Sequence, residues 1–288
     1  RPQDIGPVSV HRENGGVDIV VADEAEATMT AKRVLACVQG PVADWQAADQ
    51  SELAALMPTN RRYAFDVRKI IRHLFDTESF IETRPDMGRA IITGLARIEG
   101  RAVAVLASDC RHLGGAIDGE SATKAAALYQ LAERWRLPVV SLIDTPGFMV
   151  GPESEAGGAP RLMSDLFIAG ATLTQPIVAI FLRRAYGLGA MAMTGGSFEV
   201  PRYAVSWPQG EFGAMGLEGA VHLGFRQELA EAPDEGARQA LYDKLLAEMY
   251  DKGRAVEAAS YLEIDAVIQP EETRAAISRA LVASWVRH

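Results

Sequence analysis

Residues 185–196 read Ala185-Tyr186-Gly187-Leu188-Gly189-Ala190-Met191-Ala192-Met193-Thr194-Gly195-Gly196. They follow the apolar run Ile177 to Leu182, and this order predicts a buried strand, a turn of small residues and then a helix. The first amides of a helix have no acceptor within the helix, and glycine lets a ligand oxygen approach them closely. The stretch therefore predicts a backbone-amide cradle for an oxyanion, although tight packing of a buried helix would also favour glycine and alanine here.

Bulk composition excludes several classes of protein. The chain has 288 residues and 48% hydrophobic content, which is typical of a globular protein with a full core. Its formal charge of -9 argues against nucleic acid or an anionic membrane surface as a partner. Cys37 and Cys110 are too few for a disulfide framework, and no apolar run reaches the roughly 20 residues of a membrane span. We therefore expect a cytoplasmic protein.

The sequence pattern of the first 45 residues predicts that they form an appendage to the main domain. Val8-Ser9-Val10 and residues 17–20 flank Asn14-Gly15-Gly16, which predicts a hairpin, and Asp23 precedes a helical stretch that runs to Val38. The chain begins at Arg1 rather than Met, and its opening residues resemble the tail of an earlier element. We expect residues 1–45 to be such a tail with its linker, and residues 46–288 to form the main domain.

The sequence pattern of the main domain predicts an α/β fold. Two apolar segments, 90–98 and 102–107, flank Glu99-Gly100 and predict a hairpin. Two helix–strand units follow in series and predict a sheet with crossover connections, in which ligands bind where strand ends meet helix starts. The predicted helices cover 66–75, 121–135, 160–173, 233–252 and 271–286, and the further strands cover 139–143, 177–182, 204–207 and 264–268.

Side-chain candidates for catalysis are weaker than three glycine turns, which are Gly114-Gly115-Ala116, Gly147 with Gly151, and Gly187-Leu188-Gly189. Asp144 could be a ligand or a base, but its place before Thr145-Pro146-Gly147 favours hydrogen bonds to the amides of that turn. Arg183 and Arg184 could hold an anion at the helix start or pair with nearby acids. The histidines show no zinc-ligand or triad spacing, so we expect no metal. A solvated loop is the favoured setting for His112, Glu153, Glu155, Glu211 and Glu218.

Six short motifs occur in a fixed order between Tyr63 and Ala220. They are Tyr63-Ala64-Phe65-Asp66-Val67-Arg68, Gly94-Leu95-Ala96-Arg97-Ile98-Glu99-Gly100, Asp144-Thr145-Pro146-Gly147-Phe148-Met149-Val150-Gly151, Glu155-Ala156-Gly157-Gly158, Arg184-Ala185-Tyr186-Gly187 and Trp207-Pro208. In this order they resemble the C-terminal, crotonase-like half of the carboxyltransferase (beta) subunit of biotin-dependent acyl-CoA carboxylases. The resemblance implies a ClpP/crotonase fold of ββα spiral units with peripheral helices, and it makes residues 1–45 the end of the family's N-terminal carboxyltransferase domain.

The resemblance implies a reaction between two cofactor-bearing molecules. Carboxybiotin, carried on a partner protein, gives its carboxyl group to the α-carbon of a short acyl-CoA thioester. Two oxyanions must be held, the thioester enolate and the ureido oxygen of biotin, and each half-domain supplies an amide pair for one of them. Biotin's own nitrogen takes the α-proton, which agrees with the weak side-chain candidates in this chain.

Carried onto this sequence, the catalytic amide pair falls on Leu188 and Gly189. The common family pattern Gly-Gly-Ala after the tyrosine is replaced here by Gly187-Leu188-Gly189, so a backbone amide is kept while the wall becomes bulkier and more apolar. The resemblance further implies a biotin pocket formed by Gly114, Gly115, Ala116, Tyr186, Gly187 and Met191.

The resemblance also implies partners, without which this chain alone should be nearly inactive. They are an acyl-CoA, a biotin carboxylase with its biotin carboxyl carrier subunit, the N-terminal carboxyltransferase domain, and further copies in a dimer or a hexamer built as a trimer of dimers. Three alternatives stay open. They are a decarboxylase of malonyl or glutaconyl thioesters, a crotonase-type hydratase or isomerase that uses Glu153 or Glu155, and a non-catalytic half that only builds the oligomer.

Overall fold

An eight-stranded sheet forms the centre of the protein, which the computed structural model describes over residue 1 and residues 5–285. The strands are β1 (Ile81–Thr83), β2 (Ile91–Ile98), β3 (Arg101–Ser108), β4 (Val139–Thr145), β5 (Ile177–Tyr186), β6 (Tyr203–Ser206), β7 (Glu211–Gly213) and β8 (Ala266–Val267). They lie in the order β1-β2-β3-β4-β5-β6-β8, and β7 pairs with the last residues of β5. The strands from β1 to β3 are antiparallel, and those from β3 onward pair in parallel.

Twelve α-helices surround this sheet within the described residues. They are α1 (Val8–Glu13), α2 (Glu24–Ala36), α3 (Val67–Leu74), α4 (Gly119–Trp135), α5 (Pro152–Ala156), α6 (Ala159–Thr172), α7 (Gly187–Met193), α8 (Leu217–Gly224), α9 (Arg226–Ala230), α10 (Glu235–Lys252), α11 (Ala255–Ser260) and α12 (Thr273–Trp285). Short 3-10 segments cover Gln50–Leu56, Leu113–Gly115 and Pro270–Glu272.

The predicted hairpin and both crossover units are confirmed. β2 and β3 pair along their whole length, from Ile91 opposite Ser108 to Ile98 opposite Arg101. α4 connects β3 to β4 and α6 connects β4 to β5, and all seven residues of β4 are buried. A strand covered on both faces carries apolar residues at nearly every position, which is why the apolar runs predicted these strands well.

The two faces of the sheet carry separate apolar cores. Val139 and Ile143 of β4 point to the face that α4, α6 and α7 cover. Val140 and Leu142 point to the opposite face, where α3 and α12 pack. The carboxyl ends of β4 and β5 therefore lie between two covering layers, beside the start of α7.

The predicted N-terminal hairpin is wrong. Residues 8–13 form α1, and the Asn14 amide donates to the Val10 carbonyl at 3.1 Å, so Asn14-Gly15 ends a helix. Gly15 has a φ of 75°, a left-handed conformation that suits a helix end as well as a hairpin turn. The other predicted helices are confirmed to within a few residues, and Val286 of the closing helix lies outside the described residues.

The N-terminal segment lies against the edge of the main domain. The Arg97 guanidinium donates to the Ala36 carbonyl at 2.6 Å, and the Arg84 amide donates to the Asp18 carbonyl at 2.7 Å. Among the described residues up to 45, Cys37 alone is buried. The division between residues 1–45 and 46–288 stays a prediction.

Candidate functional site

The turn from β5 into α7 forms the centre of the site. β5 continues through Tyr186, and α7 begins at Gly187, whose φ of 58° is left-handed. A Cβ at Gly187 would lie 2.8 Å from the Ala214 carbonyl oxygen, so both conformation and space require glycine here. The amides of Leu188 and Gly189 fall in the first turn, where no helical carbonyl can accept from them. Leu188 is 61% exposed, so solvent reaches the first residue of the pair, whereas Gly189 is buried.

Gly189 brings the start of α7 into backbone contact with the turn after β4. A Cβ on Gly189 would lie 2.7 Å from the Gly147 carbonyl carbon and 3.0 Å from the Phe148 amide nitrogen. Gly147 itself has a φ of 114°. The two glycine turns that the sequence pointed to therefore meet, and the contact fixes where the amides at the helix start lie.

The loop that contains Gly114, Gly115 and Ala116 forms a wall of the site. The Gly115 amide donates to the His112 carbonyl at 2.8 Å, and the Ala116 amide donates to the Leu113 carbonyl at 3.1 Å. Both amides are engaged within the loop and are not oxyanion donors in this arrangement. Gly114 is exposed, with open space where a Cβ would stand.

A cleft of about 270 Å³ opens between this loop and Tyr186. It brings Gly114 and Tyr186 together, but the other predicted site residues, Gly115, Ala116, Gly187, Leu188, Gly189 and Met191, do not line it. Gly115, Ala116 and Gly189 are buried, Gly187 and Met191 are half-buried, and Leu188 is exposed. The cleft is lined by Arg61, Arg62, Tyr63, Ala64, Cys110, Gly114, Pro146, Arg183, Arg184, Tyr186, Glu211, Gly216, Glu218 and Tyr250.

The predicted role of Asp144 is wrong. Its carboxylate accepts from the side chains of Arg183 and Arg184, at 2.7 Å and 2.8 Å for the shortest contacts, and the Gly147 amide donates to the Thr145 hydroxyl instead. Of the two roles left open for the arginines, pairing with an acid is confirmed. Burial pushes the pKa of Asp144 up, but the hydrogen bonds and charges of Arg184 and Arg183 outweigh it and hold the pKa below its usual value.

The predicted loop setting is wrong for Glu211, which is half-buried in β7, and for Glu218, which lies in α8. Both belong to a hydrogen-bonded cluster on the far side of the cleft that sequence reasoning missed. The Tyr186 hydroxyl donates to Glu211 at 2.9 Å, and the Tyr250 hydroxyl donates to Glu218 at 2.6 Å. The Arg61 guanidinium lies 3.8 Å from the centre of the Tyr250 ring. Burial and the Glu211 carboxylate raise the pKa of Tyr186, and burial with the Glu218 hydrogen bond raises that of Tyr250 to about 12, so both hydroxyls stay protonated.

The remaining candidates lie apart from the cleft. Glu153 and Glu155 are exposed, as predicted, but they lie in α5 rather than in a loop. Arg111, the neighbour of the candidate His112, pairs with Asp66 and Asp109. Over the described residues, no group of three His, Cys, Asp or Glu side chains could hold a metal ion. In the same part of the chain, no helix is long and apolar enough to cross a membrane.

Comparison with known proteins identifies the family to which this chain belongs. The carboxyl transferase domain model matches residues 3–288. The biotin-dependent acetyl-/propionyl-coenzyme A carboxylase beta6 subunit of Mycobacterium tuberculosis is 34% identical over 287 residues, which cover 98% of this chain and 60% of the relative. The propionyl-CoA carboxylase beta chain of Saccharopolyspora erythraea is 31% identical, over 97% of this chain and 55% of the relative.

Solved structures agree with the sequence comparison. A single-chain, multi-domain long-chain acyl-CoA carboxylase matches 97% of this chain with a TM-score of 0.90 and 47% identity, and 27% of that protein is covered. Transcarboxylase 12S, a hexamer with methylmalonyl-coenzyme A and methylmalonic acid bound, matches 99% of this chain with a TM-score of 0.89 and 27% identity, over 56% of its own length.

The fold and the site together define the class of protein. It is a crotonase-like α/β domain in which a glycine turn leads into a helix at the site. The chain belongs to the carboxyl transferase domain family. It spans little more than half the length of the curated relatives it matches.

Proposed function

We propose that this chain is the biotin-binding half of a carboxyltransferase in a biotin-dependent acyl-CoA carboxylase. The observation that carries the proposal is the start of α7, where the amides of Leu188 and Gly189 have no helical acceptor and Gly189 packs directly on the glycine turn after β4. Electrostatic stabilisation by such fixed donors needs no side-chain base. The family match over nearly the whole chain supports the same reading.

The ligand that we propose for this site is the ureido ring of biotin. Its carbonyl oxygen is an acceptor that suits two neighbouring amides, and the cleft of about 270 Å³ beside Tyr186 is open to a ring from the solvent side. Carboxybiotin on a carrier protein would supply the carboxyl group. The amides of Leu188 and Gly189 would donate to the ureido oxygen as negative charge develops there, while Gly114, Gly115, Ala116, Tyr186, Gly187 and Met191 would hold the ring.

The second substrate we propose is an acyl-CoA thioester, bound by the family's N-terminal carboxyltransferase domain opposite this site. The hexamer of transcarboxylase 12S supports an oligomeric assembly. In that assembly we propose that the two halves face each other, with a biotin carboxylase and carrier as further partners. A short acyl group is the first candidate, because two relatives are acetyl- or propionyl-CoA carboxylase subunits. A long chain is the second, because the neighbour with 47% identity is a long-chain acyl-CoA carboxylase.

The compartment we propose is the cytoplasm. Cys37 and Cys110 are both free and buried, and burial raises the pKa of each thiol, so they gain nothing from an oxidising environment.

Leu188→Pro in the assembled enzyme, with the proposed first half present, tests the function. Proline in the first turn removes one amide without breaking a helical hydrogen bond, and Leu188→Ala trims the same exposed side chain but keeps the amide. We expect biotin-dependent decarboxylation of malonyl-CoA to fall on the order of 100- to 1000-fold in Leu188→Pro, since one oxyanion donor contributes that much. Leu188→Ala should stay within a few-fold of the wild type. Propionyl-CoA and palmitoyl-CoA are compared in the carboxylation direction to decide the chain length.

Two results would overturn the proposal. Equal turnover of Leu188→Pro and Leu188→Ala, per folded oligomer, would indicate a half that only builds the assembly. Turnover of a malonyl thioester without any biotin derivative would instead favour a decarboxylase of the same fold.

A further inference from the structure

Asp144 is buried at the end of β4 and carries a dense set of charged contacts. Its Oδ1 accepts from Arg183 Nε at 3.2 Å, Arg184 Nε at 2.8 Å and the Arg184 amide at 3.0 Å. Its Oδ2 accepts from Arg183 Nη2 at 2.7 Å and Arg184 Nη2 at 3.0 Å. Five donors on one fully buried carboxylate leave it no contact with a substrate.

The two arginines extend from this carboxylate to different walls of the cleft. Arg184 Nη2 also donates to the Gly114 carbonyl at 2.8 Å. Arg183 Nη1 donates to the Arg61 and Tyr63 carbonyls, both at 2.8 Å. The residues held in this way, Gly114 on one arginine and the segment 61–63 on the other, line the same cleft.

The loop wall is also fixed by the residue that follows Asp144. The Thr145 hydroxyl donates to the Gly115 carbonyl at 2.8 Å. A Cβ at Gly115 would lie 2.7 Å from the Asp144 carbonyl oxygen, so the loop lies directly on the end of β4. The carbonyls of Gly114 and Gly115 therefore accept hydrogen bonds from Arg184 and Thr145, respectively.

We propose that Asp144 is a positioning residue, which sets the width of the biotin cleft by holding Arg184 against the Gly114 loop and Arg183 against residues 61–63. The inference rests on the proposed function, and it concerns the biotin side of the reaction alone. Gly114 and Tyr186 belong both to this cleft and to the proposed biotin pocket. The width of the cleft therefore bears on where a bound ring lies, and misplacement of a reacting group by about 1 Å can cost 100-fold in rate.

Arg184→Lys in the assembled enzyme is the test. A lysine ammonium can keep the ion pair with Asp144, but it lacks the planar fork that also reaches the Gly114 carbonyl. With free biotin as the probe, we expect kcat/KM for biotin to fall about 10- to 100-fold. KM for malonyl-CoA should stay within twofold of the wild type, because the acyl-CoA binds the other half. A general loss of structure would change both substrates' parameters alike.

Arg274→Lys is the matched control. Arg274 also forms a buried pair with an aspartate, Asp76, and donates to a carbonyl, that of Leu74, but it lies outside the cleft. This control should keep the wild-type kcat/KM for biotin per folded enzyme. Thr145→Val provides a second variant with little change of volume, and it should reproduce the selective loss. It removes the hydrogen bond to the Gly115 carbonyl together with the acceptor of the Gly147 amide.

The outcomes separate the two proposals. A wild-type enzyme without biotin-dependent turnover contradicts the proposed function. An active wild type whose Arg184→Lys and Thr145→Val variants match it in kcat/KM for biotin contradicts the positioning role. A loss in those variants that Arg274→Lys shares to the same degree also contradicts it, because general stability would then explain the effect.

Discussion

Lys124 is a buried cation that pairs with carbonyl groups rather than with an acid. It is 1% exposed, and its Nζ donates to the Met87 and Ile91 carbonyls at 3.0 Å and 2.8 Å. Burial lowers the pKa of Lys124 to about 8. In the unfolded chain the amine takes up a proton near its ordinary pKa of 10.5, so the two states bind different numbers of protons between these values.

The sign of this linkage gives a prediction for Lys124→Met. Because folding depresses the pKa of Lys124, its full contribution to the free energy of unfolding is present above pH 10.5. That contribution is lost as the pH falls through about 8. Between pH 7 and pH 10 the wild type should therefore gain about 2 to 3 kcal/mol in free energy of unfolding relative to Lys124→Met. Urea unfolding at a series of pH values measures the difference.

The exposed Lys69 of α3 provides the control for that experiment. Lys69→Met measures how far the loss of an exposed lysine alone changes the free energy of unfolding. A pH series for Lys124→Met that matches the series for Lys69→Met would contradict a lysine whose proton affinity depends on folding.

Single residues also show how far the site could be predicted from the sequence. The helix start at Gly187 was predictable, because a strand, a glycine turn and a helix are adjacent in the chain. The partners of Asp144 were not, since Arg183 lies 39 residues further along. The prediction for Asp144 rested on a local turn pattern, whereas in the structure Asp144 forms an ion pair with residues distant in the sequence.

Among the helices and strands, those buried on both faces were predicted from the sequence, and several short ones were missed. β4 and β5 are apolar runs between two helical layers, and their existence followed directly from the sequence. At the N-terminus, Asn14-Gly15 fits a hairpin turn and a helix end equally well, and α1 buries no residue that could decide between them. The small helices α8, α9 and α11 were missed because they are too short to show a helical period.

α10 is an element that the fold holds weakly. It has 18 residues, none of them buried, and it is attached beside the cleft by the Tyr250 hydrogen bond to Glu218. Elements with few buried contacts open at low free energy, whereas central strands open close to the global unfolding free energy. Hydrogen exchange followed by mass spectrometry should therefore show faster exchange in α10 than in β4 and β5, by about 100-fold or more.

Tyr250→Phe sharpens the measurement on α10. Loss of the hydroxyl should raise exchange at the end of α10 and leave β4 unchanged, because the hydrogen bond joins α10 to α8 alone. Exchange in α10 as slow as in β4 would contradict a weakly held helix.

At the scale of the whole molecule, the carboxyl edge of the sheet presents apolar side chains to solvent. β3, β4 and β5 are parallel neighbours, and the turn after each carries one large exposed side chain: Leu113, Val150 and Leu188. Val150 is 81% exposed. Exposed apolar groups gathered at one edge mark a surface for association, and this edge also holds the proposed biotin site.

Val150→Glu tests whether this edge is an interface in the assembled enzyme. A carboxylate buried in an apolar contact leaves an unpaired charge, so we expect the assembly to dissociate into smaller species, measured by mass photometry at nanomolar concentration. Val282→Glu is the control, because Val282 is also exposed but lies on α12, which covers the opposite face of the sheet. This control should keep the wild-type mass. Since the proposed chemistry needs both halves to face each other, loss of assembly in Val150→Glu should abolish biotin-dependent turnover at the same protein concentrations. A Val150→Glu enzyme of wild-type mass would show that this edge contacts no other subunit.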